Sequence, residues 1–373
     1  EMMSRLWSFL WLMSTAQGLH LLLRPAGTPV LRKATVRRMA AQGQPAMVAE
    51  EAFRLGLYRR TPLVLSEPLS DLVGLPVHLK MDFLQASGSF KDRGMAYLCE
   101  QLRAEGASQL VSSSGGNAGL AAATVGKKLG MDVKVFVPET TKAVVIAKLR
   151  ALGAEVEIHG VNWNAADDLA RRVVAEEPGA AYVPPYENPR LWTGHSTLID
   201  ELADDLEAPP SAVVASVGGG GLLCGVYEGL ERVGWAKTTV LAAETEGASC
   251  FHQALKAGEP VRLPSIDSVA TSLGALEISQ AALDRAENQP TTSLTCTDKE
   301  AVDACLRFAQ DHRILVEPAC GAALAMAYSD RLRPALIADA ADGGDVVIEV
   351  CGGSGVTLDI LADWQGAFGL KGE

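Results

Sequence analysis

The sequence predicts an α/β protein with two domains, each an open, twisted and mostly parallel sheet that carries helices on both faces. From about Leu63 onward, short β-branched runs alternate with helical patterns, which is typical of βαβ units and parallel sheets. Glycine-rich loops follow several of these runs, at the positions where open α/β sheets bind their ligands. A chain of 373 residues is long enough for two domains with a large buried core.

The elements follow one another along the chain in the alternating order that this fold requires. The predicted strands are residues 109–113, 132–137, 155–159, 212–217, 238–243 and 345–350. The predicted helices are residues 117–129, 141–152, 165–175, 222–233, 299–311 and 317–332. A proline-rich turn at residues 184–189 marks the crossover between the two halves of the chain.

The composition indicates a globular protein with reduced thiols. Hydrophobic residues make up 48% of the chain and charged residues only 21%, which excludes a disordered protein. The net charge of −12 argues against nucleic acids and anionic membranes as partners. The 7 cysteines are scattered without a C-x-x-C pair. We therefore expect free thiols in an intracellular compartment, and neither a disulfide framework nor a zinc site.

Residues 1–49 differ from the rest of the chain and are predicted to be a leader. Between Met2 and Ala49 there is no acidic residue, and the basic ones are Arg5, Arg24, Arg32, Lys33, Arg37 and Arg38. This composition resembles an organelle transit peptide, and the apolar run 6–13 is too short to span a bilayer. The alternatives are a secretory signal, or a gene model whose true start is Met39 or Met47. We expect a soluble intracellular protein, which is cytoplasmic, or mitochondrial or plastid if the leader is a transit peptide.

Lys91 is the first candidate for chemistry, because it stands between a strand-like run and a helix-like run. At a helix N-terminus the partial positive charge disfavours a second positive charge and lowers the pKa of the amine. A lysine that is neutral near pH 7 can form a Schiff base with an aldehyde. Considered by itself, Lys91 is equally well explained as a solvated lysine in the first helical turn.

The first glycine-rich loop is Ser-Ser-Ser-Gly-Gly-Asn-Ala-Gly at residues 112–119, between a predicted strand and a predicted helix. Its small residues leave backbone N–H groups exposed at a helix N-terminus, which suits a carboxylate or a phosphate. Asn117 adds a side-chain amide that can donate to a nearby oxygen. A tight turn with an Asn cap explains this loop equally well when it is considered alone.

The second loop, residues 217–222, contains four consecutive glycines, and the third is Cys-Gly-Gly-Ser-Gly at residues 351–355. Ordering a glycine costs about 0.5–1 kcal/mol relative to alanine, and close approach to an anion explains that cost better than packing. The second loop fits neither the dinucleotide fingerprint nor the P-loop, so we predict a different phosphate site. By itself Cys351 is typical of a small buried thiol. Together, an amine, two anion cradles and a neutral polar tip suit pyridoxal 5′-phosphate.

Five motifs, in this order and with similar spacing, resemble the L-serine dehydratase/L-threonine deaminase family. They are Ser-Gly-Ser-Phe-Lys at 87–91, Ser-Gly-Gly-Asn-Ala-Gly at 114–119, Gly-Gly-Gly-Gly-Leu-Leu-Cys-Gly at 218–225, Val-Glu-Pro-Ala-Cys-Gly at 316–321 and Cys-Gly-Gly-Ser at 351–354. The family consists of fold-type-II pyridoxal-phosphate enzymes related to tryptophan synthase β. The resemblance runs from about Arg60 to the C-terminus. It implies a large cofactor-binding domain at 50–84 plus 189–373 and a small domain at 85–188.

The resemblance also implies a role for individual residues. Lys91 would hold the cofactor covalently and act as the catalytic residue. The implied cofactor contacts are Phe90, Asn117, Gly218, Gly219, Gly220, Gly221, Leu222 and Cys351. The implied substrate contacts are Ser114, Gly115, Asn117, Ala118 and Tyr186, where relatives often have Phe at the last position. A monovalent-cation (K⁺) site would map onto Glu244, Ala248, Leu273 and Ala275, with Cys250 standing where some relatives have Ser.

The implied reaction is a β-elimination that converts L-serine to pyruvate and ammonia, and L-threonine to 2-oxobutyrate and ammonia. Lys91 would take the Cα proton as a general base. Gly115 stands where some relatives carry Ala, and we hypothesise that the missing methyl lowers turnover or widens the substrate range. A homodimer that binds small amino acids, without nucleic-acid or membrane partners, is expected. The alternatives are serine racemase, threonine synthase, or a catalytically silent protein that binds the cofactor.

Overall fold

The computed structural model describes residues 45–338 and 343–370. The strands are β1 Leu63–Leu65, β2 Val77–Lys80, β3 Gln109–Ser112, β4 Asp132–Val137, β5 Glu155–Ile158, β6 Ala180–Tyr182, β7 Ala212–Ser216, β8 Thr239–Thr245, β9 Thr291–Cys296 and β10 Val346–Glu349. The helices are α1 Pro45–Arg54, α2 Glu67–Val73, α3 Lys91–Ala104, α4 Asn117–Leu129, α5 Ala143–Ala151, α6 Trp163–Glu176, α7 Pro189–Asp205, α8 Gly221–Val233, α9 Cys250–Ala257, α10 Gln280–Ala286, α11 Asp298–His312, α12 Pro318–Tyr328, α13 Leu332–Ala338 and α14 Leu358–Ala367. Short 3₁₀-helices occur at Asp82–Leu84 and Thr271–Leu273.

The strands form two sheets, and this confirms the predicted fold class. A six-stranded sheet has the order β1-β2-β10-β7-β8-β9, and a four-stranded sheet has the order β5-β4-β3-β6. Their described strand pairs are parallel apart from the antiparallel β1–β2 pair at one edge. Parallel sheets need helices on both faces, and the long crossover connections along the chain supply them.

Helices α3, α4, α7 and α8 pack into a hydrophobic core that includes side chains of both sheets, such as Leu110 of β3 and Val213 of β7. The other face of the six-stranded sheet is covered by α12, all of whose residues are buried. The carboxyl ends of β3, β7 and β10 each lead into one of the glycine-rich loops. The sheets therefore carry these loops at the positions where parallel sheets bind ligands.

Most of the predicted strands and helices lie within two residues of their observed bounds, and the 117–129 helix and the 132–137 strand match fully. The helix predicted at 317–332 is wrong, because α12 ends at Tyr328 and a new helix begins at Leu332. Between them, Asp330 has a positive φ of 54°, a conformation that a helix does not continue through. The backbone N–H of Arg331 turns back to donate to the Met326 carbonyl at 3.0 Å.

The predicted crossover at 184–189 leads from β6 of the four-stranded sheet to α7. Helix α7 itself was not predicted, although Asn188 caps it by accepting from the N–H of Arg190 and Pro189 follows the cap. Residues 1–44 of the predicted leader lie outside the described residues, and α1 begins within that leader at Pro45. The division into two domains at 84/85 and 188/189 remains a prediction. In the described ranges, no helix has both the length and the apolar character needed to cross a membrane.

A buried ion network joins the start of α3 to three other elements. The guanidinium of Arg93, which is fully buried, donates to both carboxyl oxygens of Asp82 at 2.8 Å. It also lies 2.6 Å from Glu201 Oε1 on α7, whose Oε2 lies 2.6 Å from the ammonium of Lys80 on β2. Two cations and two carboxylates are thus matched, which offsets the large cost of removing charges from water. The network fixes α3, and with it Lys91, to the six-stranded sheet.

We expect Glu201→Gln to lower the free energy of unfolding by about 3–5 kcal/mol, because it leaves two buried cations facing the single carboxylate of Asp82. Urea denaturation measures the loss. Glu50→Gln is a matched control, because Glu50 pairs with Arg54 at 2.7 Å on the exposed surface. Its effect should stay below about 1 kcal/mol. Equal losses in the two variants would contradict the structural role of the network.

Candidate active site

Lys91 is the first residue of α3, and its amine faces the chain that enters α7. Its Nζ donates to the carbonyl oxygen of Pro185 at 2.7 Å and lies 5.0 Å from the centroid of the Phe90 ring. The Asp82–Leu84 3₁₀-helix and the following loop separate the strand β2 from this lysine. The amine is therefore presented at the junction predicted from the sequence, above the buried ion network.

Burial lowers the pKa of Lys91 to about 8, and the neighbouring Cys351 partly opposes that shift by raising it. The direction agrees with the sequence argument, but the cause differs, since desolvation acts here in place of the helix N-terminus. A substantial fraction of the amine is therefore neutral near pH 8. A neutral lysine amine is a nucleophile towards aldehydes.

The four-glycine loop leaves no room for side chains. A Cβ built on Gly219 would stand 2.5 Å from the Tyr186 ring, and one on Gly221 would stand 2.9 Å from the Tyr186 carbonyl oxygen. Gly220 has a φ of 91°, which L-residues rarely adopt, and its Cβ would stand 2.9 Å from Ala282 Cβ. The close approach of Tyr186 explains the glycines at 219 and 221, and the positive φ explains the glycine at 220.

The same loop offers unpaired backbone donors. Among the hydrogen bonds of the described residues, none uses the backbone N–H of Gly218, Gly219, Gly220 or Gly221 as its donor. These groups precede or begin α8, a helix of 13 residues whose N-terminus carries partial positive charge. Unpaired N–H groups at a helix N-terminus form a binding site for an anion such as a phosphate.

The loop at 112–119 lies at the N-terminus of α4 and is closely packed. The Ser114 hydroxyl accepts from the N–H of Gly116 at 3.3 Å, while Ala118 is buried in the first turn of the helix. A Cβ on Gly115 would stand 2.9 Å from the methyl carbon of Thr141 and 3.2 Å from Val137 Cγ1. The space that an alanine methyl would need is thus occupied by Thr141 and Val137.

Asn117 connects the first loop to the third. Its side-chain oxygen accepts from the backbone N–H of Ser354 at 3.0 Å and from the Ser354 hydroxyl at 3.1 Å. Its amide nitrogen donates to Glu317 Oε1 at 2.7 Å. The structure therefore brings Asn117 together with the Cys351 loop, as a shared site requires.

Glu317 is a site residue for which no role was predicted, although it belongs to one of the five motifs. Its carboxyl group is buried, and besides Asn117 it accepts weakly from the N–H of Gly355 at 3.4 Å. A Cβ on Gly353 would stand only 2.0 Å from Glu317 Cδ, so glycine is required there. Burial raises the pKa of Glu317, and hydrogen bonds from Ser272 and Asn117 oppose that shift. Glu317 thereby holds the first and third loops together.

Cys351 and Phe90 lie beside each other at the floor of this site. The backbone N–H of Phe90 donates to the Cys351 carbonyl oxygen at 3.2 Å. The Phe90 ring packs at 4.9 Å on the imidazole of His195, a buried residue of α7 that the sequence analysis missed. Burial lowers the pKa of His195 well below its usual range, and Lys91 and Arg93 lower it further, so the imidazole is neutral. The neutral imidazole thus packs against the Phe90 ring.

Leu273 of the predicted cation site contacts the four-glycine loop, and Glu244 binds the start of α9, where the Cys250 thiol donates to the Gly218 carbonyl oxygen at 3.5 Å. The buried carboxyl of Glu244 accepts from the N–H groups of Phe251 at 2.9 Å and His252 at 2.7 Å, and burial raises its pKa to about 8. Leu273 approaches the loop closely, since a Cβ on Gly218 would stand 3.1 Å from its Cα. No contact among the described residues joins Ala248 or Ala275 to Lys91.

The residues present fit a group that combines an aldehyde, an aromatic ring and a phosphate. The amine of Lys91 suits the aldehyde, the unpaired N–H groups of Gly218–Gly221 suit the phosphate, and Phe90 offers a ring face. No described cluster of three or more His, Cys, Asp or Glu side chains could hold a metal ion. Pyridoxal 5′-phosphate has all three of these parts.

Comparisons with known proteins agree with this geometry. The family described as "Pyridoxal-phosphate dependent enzyme" matches residues 55–352. A mouse protein named "Serine dehydratase-like" is 44% identical over 85% of this chain and 96% of its own length. The human "L-serine dehydratase/L-threonine deaminase" is 43% identical over 84% of this chain and 96% of its own length.

Solved structures show the same relationship in three dimensions. A fungal L-serine ammonia-lyase from Rhizomucor miehei superposes with a TM-score of 0.79 at 34% identity, covering 84% of this chain and 99% of its own. Maize serine racemase superposes with a TM-score of 0.77 at 25% identity, covering 87% of this chain and 96% of its own. The chain therefore belongs to the pyridoxal-phosphate-dependent enzymes of fold type II, in the group that contains the serine dehydratases.

Proposed function

We propose that this protein is a pyridoxal-phosphate-dependent ammonia-lyase that converts L-serine to pyruvate and ammonia, and L-threonine to 2-oxobutyrate and ammonia. The observation that carries the proposal is the position of the Lys91 amine. It donates to the Pro185 carbonyl oxygen, and the adjacent Tyr186 packs against Gly219 and Gly221 of the loop whose four glycine N–H groups have no partner among the described residues. A cofactor that is attached at Lys91 and held by its phosphate at those glycines fits this arrangement. The relatives named as serine dehydratases support the substrate class.

Lys91 would first hold the cofactor and then, once the substrate amine displaces it, take the proton from the substrate Cα. Its lowered pKa of about 8 suits this role, because a general base must be neutral at working pH and protonated afterwards. The bound cofactor supplies the electron sink that makes the Cα proton acidic and allows the β-hydroxyl to leave. Leu222 would close the phosphate end of the site, next to Gly221.

The substrate carboxylate would bind at the N-terminus of α4, where Ser114, Gly115, Asn117 and Ala118 surround the first turn. The positive end of the helix and its unpaired N–H groups favour a carboxylate there. Tyr186 would border the substrate on the opposite side, where it packs against Gly219. Asn117 would orient the cofactor, since its amide is already fixed by Glu317 and Ser354.

We further propose that the cation site at Glu244, Ala248, Leu273 and Ala275 binds K⁺. Glu244 supports this, because its buried carboxyl has no ion-pair partner among the described residues and a bound cation would favour its ionised form. Leu273 contacts the glycine loop, so a cation there would stiffen the phosphate cradle. A homodimer and the two-domain division at 50–84 plus 189–373 and 85–188 complete the proposal, by resemblance to the family.

The activity is tested by following 2-oxo acid release from purified, cofactor-loaded protein given L-serine and then L-threonine. We expect release from the wild type and a loss of at least about a thousandfold in Lys91→Ala, because the covalent anchor and the general base are one residue. D-serine is measured in parallel. Bound cofactor without 2-oxo acid would favour a racemase or threonine synthase, and absence of bound cofactor would leave a different function.

Cofactor loading should depend on pH through Lys91. Since its pKa is lowered to about 8, the neutral amine becomes the major form above that pH. We expect the rate at which the cofactor-free protein gains the absorbance of bound pyridoxal phosphate to rise with pH, with a midpoint near 8. Stopped-flow absorbance measures this rate. A midpoint near 10.4, the value of a free lysine, would contradict the proposed effect of burial.

The close packing around Gly115 reverses the effect expected of an added methyl, because Thr141 and Val137 already fill the space that the methyl would need. Gly115→Ala places a methyl 2.9 Å from the Thr141 methyl carbon, so we expect the loop to shift and KM for L-serine to rise by about threefold or more, or about 0.7 kcal/mol. Adding Thr141→Ser removes the opposing methyl and should restore KM, while Thr141→Ser alone is the control. Unchanged kinetics in Gly115→Ala would refute the role of this position.

A further inference from the structure

Asp92 is a buried carboxyl beside Lys91 that the proposed function does not use. It is the second residue of α3 and is fully buried. Its Oδ2 accepts from the backbone N–H of Ser87 at 3.0 Å, and its Oδ1 has no hydrogen-bond partner among the described residues. Burying a carboxyl with an unsatisfied oxygen is unfavourable, so its presence at this position points to a role beyond packing.

The cations near this carboxyl are bound to other groups. Lys128 on α4 is close enough to favour the ionised form, but its ammonium donates to the carbonyl oxygens of Gly56 and Leu57 at 2.9 Å each. The charged and titratable groups that face this end of α3 are Lys128, Arg59 before β1, Asp82 on the 3₁₀-helix, His195 and Glu201 on α7, and Lys91 and Arg93 on α3 itself. The Arg93 guanidinium is held in the ion network, so ionised Asp92 is a buried charge whose direct partner is one N–H group.

The Ser87 N–H belongs to the segment at residues 87–90, the lysine turn, which leads from the 3₁₀-helix into Lys91. Backbone bonds that hold the lysine turn are Gly88 N–H to Gln85 O at 2.9 Å, Phe90 N–H to Cys351 O at 3.2 Å and Gly353 N–H to Gly88 O at 2.9 Å. The hydroxyls of Ser87 and Ser89 are buried without partners among the described residues, so they add little to it. The bond to Asp92 differs from the backbone bonds, because its acceptor can change charge. An ionised acceptor makes a hydrogen bond roughly twice as strong as a neutral one.

We propose that ionised Asp92 is a positioning residue that keeps the lysine turn closed and so holds Lys91 where it binds the cofactor. This inference depends on the proposed function for the attachment of the cofactor at Lys91. Asp92 acts through the backbone N–H of Ser87. When the carboxyl takes up a proton, that bond weakens and the lysine turn can open, which favours release of the cofactor.

The form of Asp92 that closes the turn is also the form that is unfavourable for folding. Burial raises the pKa of Asp92 to about 6, while its contacts with Ser87 and the charge of Lys128 oppose that shift. The carboxyl is therefore mostly ionised above pH 7. An acid whose folded pKa is raised stabilises the fold at low pH and loses that contribution as pH rises through the folded pKa. Cofactor retention and stability should thus change in opposite directions with pH.

The test measures how fast substrate-free, cofactor-loaded protein loses pyridoxal phosphate after dilution, from pH 5.5 to 8. Samples are desalted at timed intervals, and the bound cofactor is read by absorbance. Asn in Asp92→Asn has nearly the same shape and can still accept from the Ser87 N–H, but it stays neutral at every pH. We expect the variant to lose cofactor about threefold faster or more than the wild type at pH 8, because the charge-assisted bond is gone. The ratio of the two rates should fall towards one on acidification, with a midpoint near 6.

Asp359→Asn is the matched control, because Asp359 is likewise the second residue of a helix, α14, but is exposed. Its rate of loss should follow that of the wild type at every pH. A ratio near one for Asp92→Asn at every pH would overturn this inference, and so would a raised ratio that does not depend on pH, since that marks a purely structural residue. Either result leaves the ammonia-lyase proposal intact if 2-oxo acid is still released. A wild type that binds no cofactor would overturn both.

Thermal melting of the cofactor-free, full-length proteins provides a readout that does not depend on the cofactor. Asp92→Asn should melt at a higher temperature than the wild type at pH 8, because it removes a buried charge, and the difference should shrink towards pH 5.5. A variant that melts at a lower temperature than the wild type at pH 8 would contradict the view that this carboxylate is retained against the stability of the fold.

Discussion

The pairing of Arg93 with Asp82 and Glu201 is the interaction on which the rest of the site depends. It lies two residues beyond Lys91 and links the 3₁₀-helix, α3 and α7, while Lys80 extends it to the six-stranded sheet. Because all its charges are matched within the protein, α3 is held in one position with its first residue facing the site. Lys91 can then present a partly buried amine whose pKa is lowered to about 8. A single flexible lysine on a mobile loop would not retain a lowered pKa.

Above this network the site is assembled from backbone more than from side chains. Glycine is required at Gly219 by Tyr186, at Gly353 by Glu317, and at Gly352, which approaches the Gly88 carbonyl. At the four-glycine loop the lost conformational freedom leaves backbone N–H groups without a partner among the described residues, where they can bind an anion, whereas the Gly353 N–H donates to the Gly88 carbonyl oxygen at 2.9 Å. Several of the buried polar side chains that have an atom without a hydrogen-bond partner among the described residues lie in this region, namely Ser87, Ser89, Asp92, His195 and Glu349, while others, such as Thr124 and His312, do not. Such a concentration is expected where a fold serves chemistry at some cost to stability.

The sequence alone was sufficient for the fold class and for the three loops, because strand–glycine loop–helix junctions are local patterns. The Lys91 segment, the four glycines and the Cys351 loop each follow a strand, as expected, although a 3₁₀-helix intervenes before Lys91. Helix α7, strand β9 and the break after Tyr328 were missed. Strand β9 is polar and half-buried at a sheet edge, so it lacks the apolar alternation that marks strands.

The contacts that finish the site could not be predicted, because they join residues far apart in sequence. Glu317 meets Asn117 across 200 positions, and His195 comes under Phe90 from a helix with no local signal. Burial is the main cause of the lowered Lys91 pKa, and burial is a property of the packed fold, so only the direction of the shift could be predicted from the sequence.

Reductive trapping tests the central claim most directly. Borohydride reduction of the cofactor-loaded protein, followed by peptide mass spectrometry, locates the lysine that carries the cofactor. We predict a phosphopyridoxyl group on the peptide that contains Lys91, and its loss when L-serine is added before the reduction. A label on another lysine, or one that L-serine does not displace, would contradict the assignment of this site.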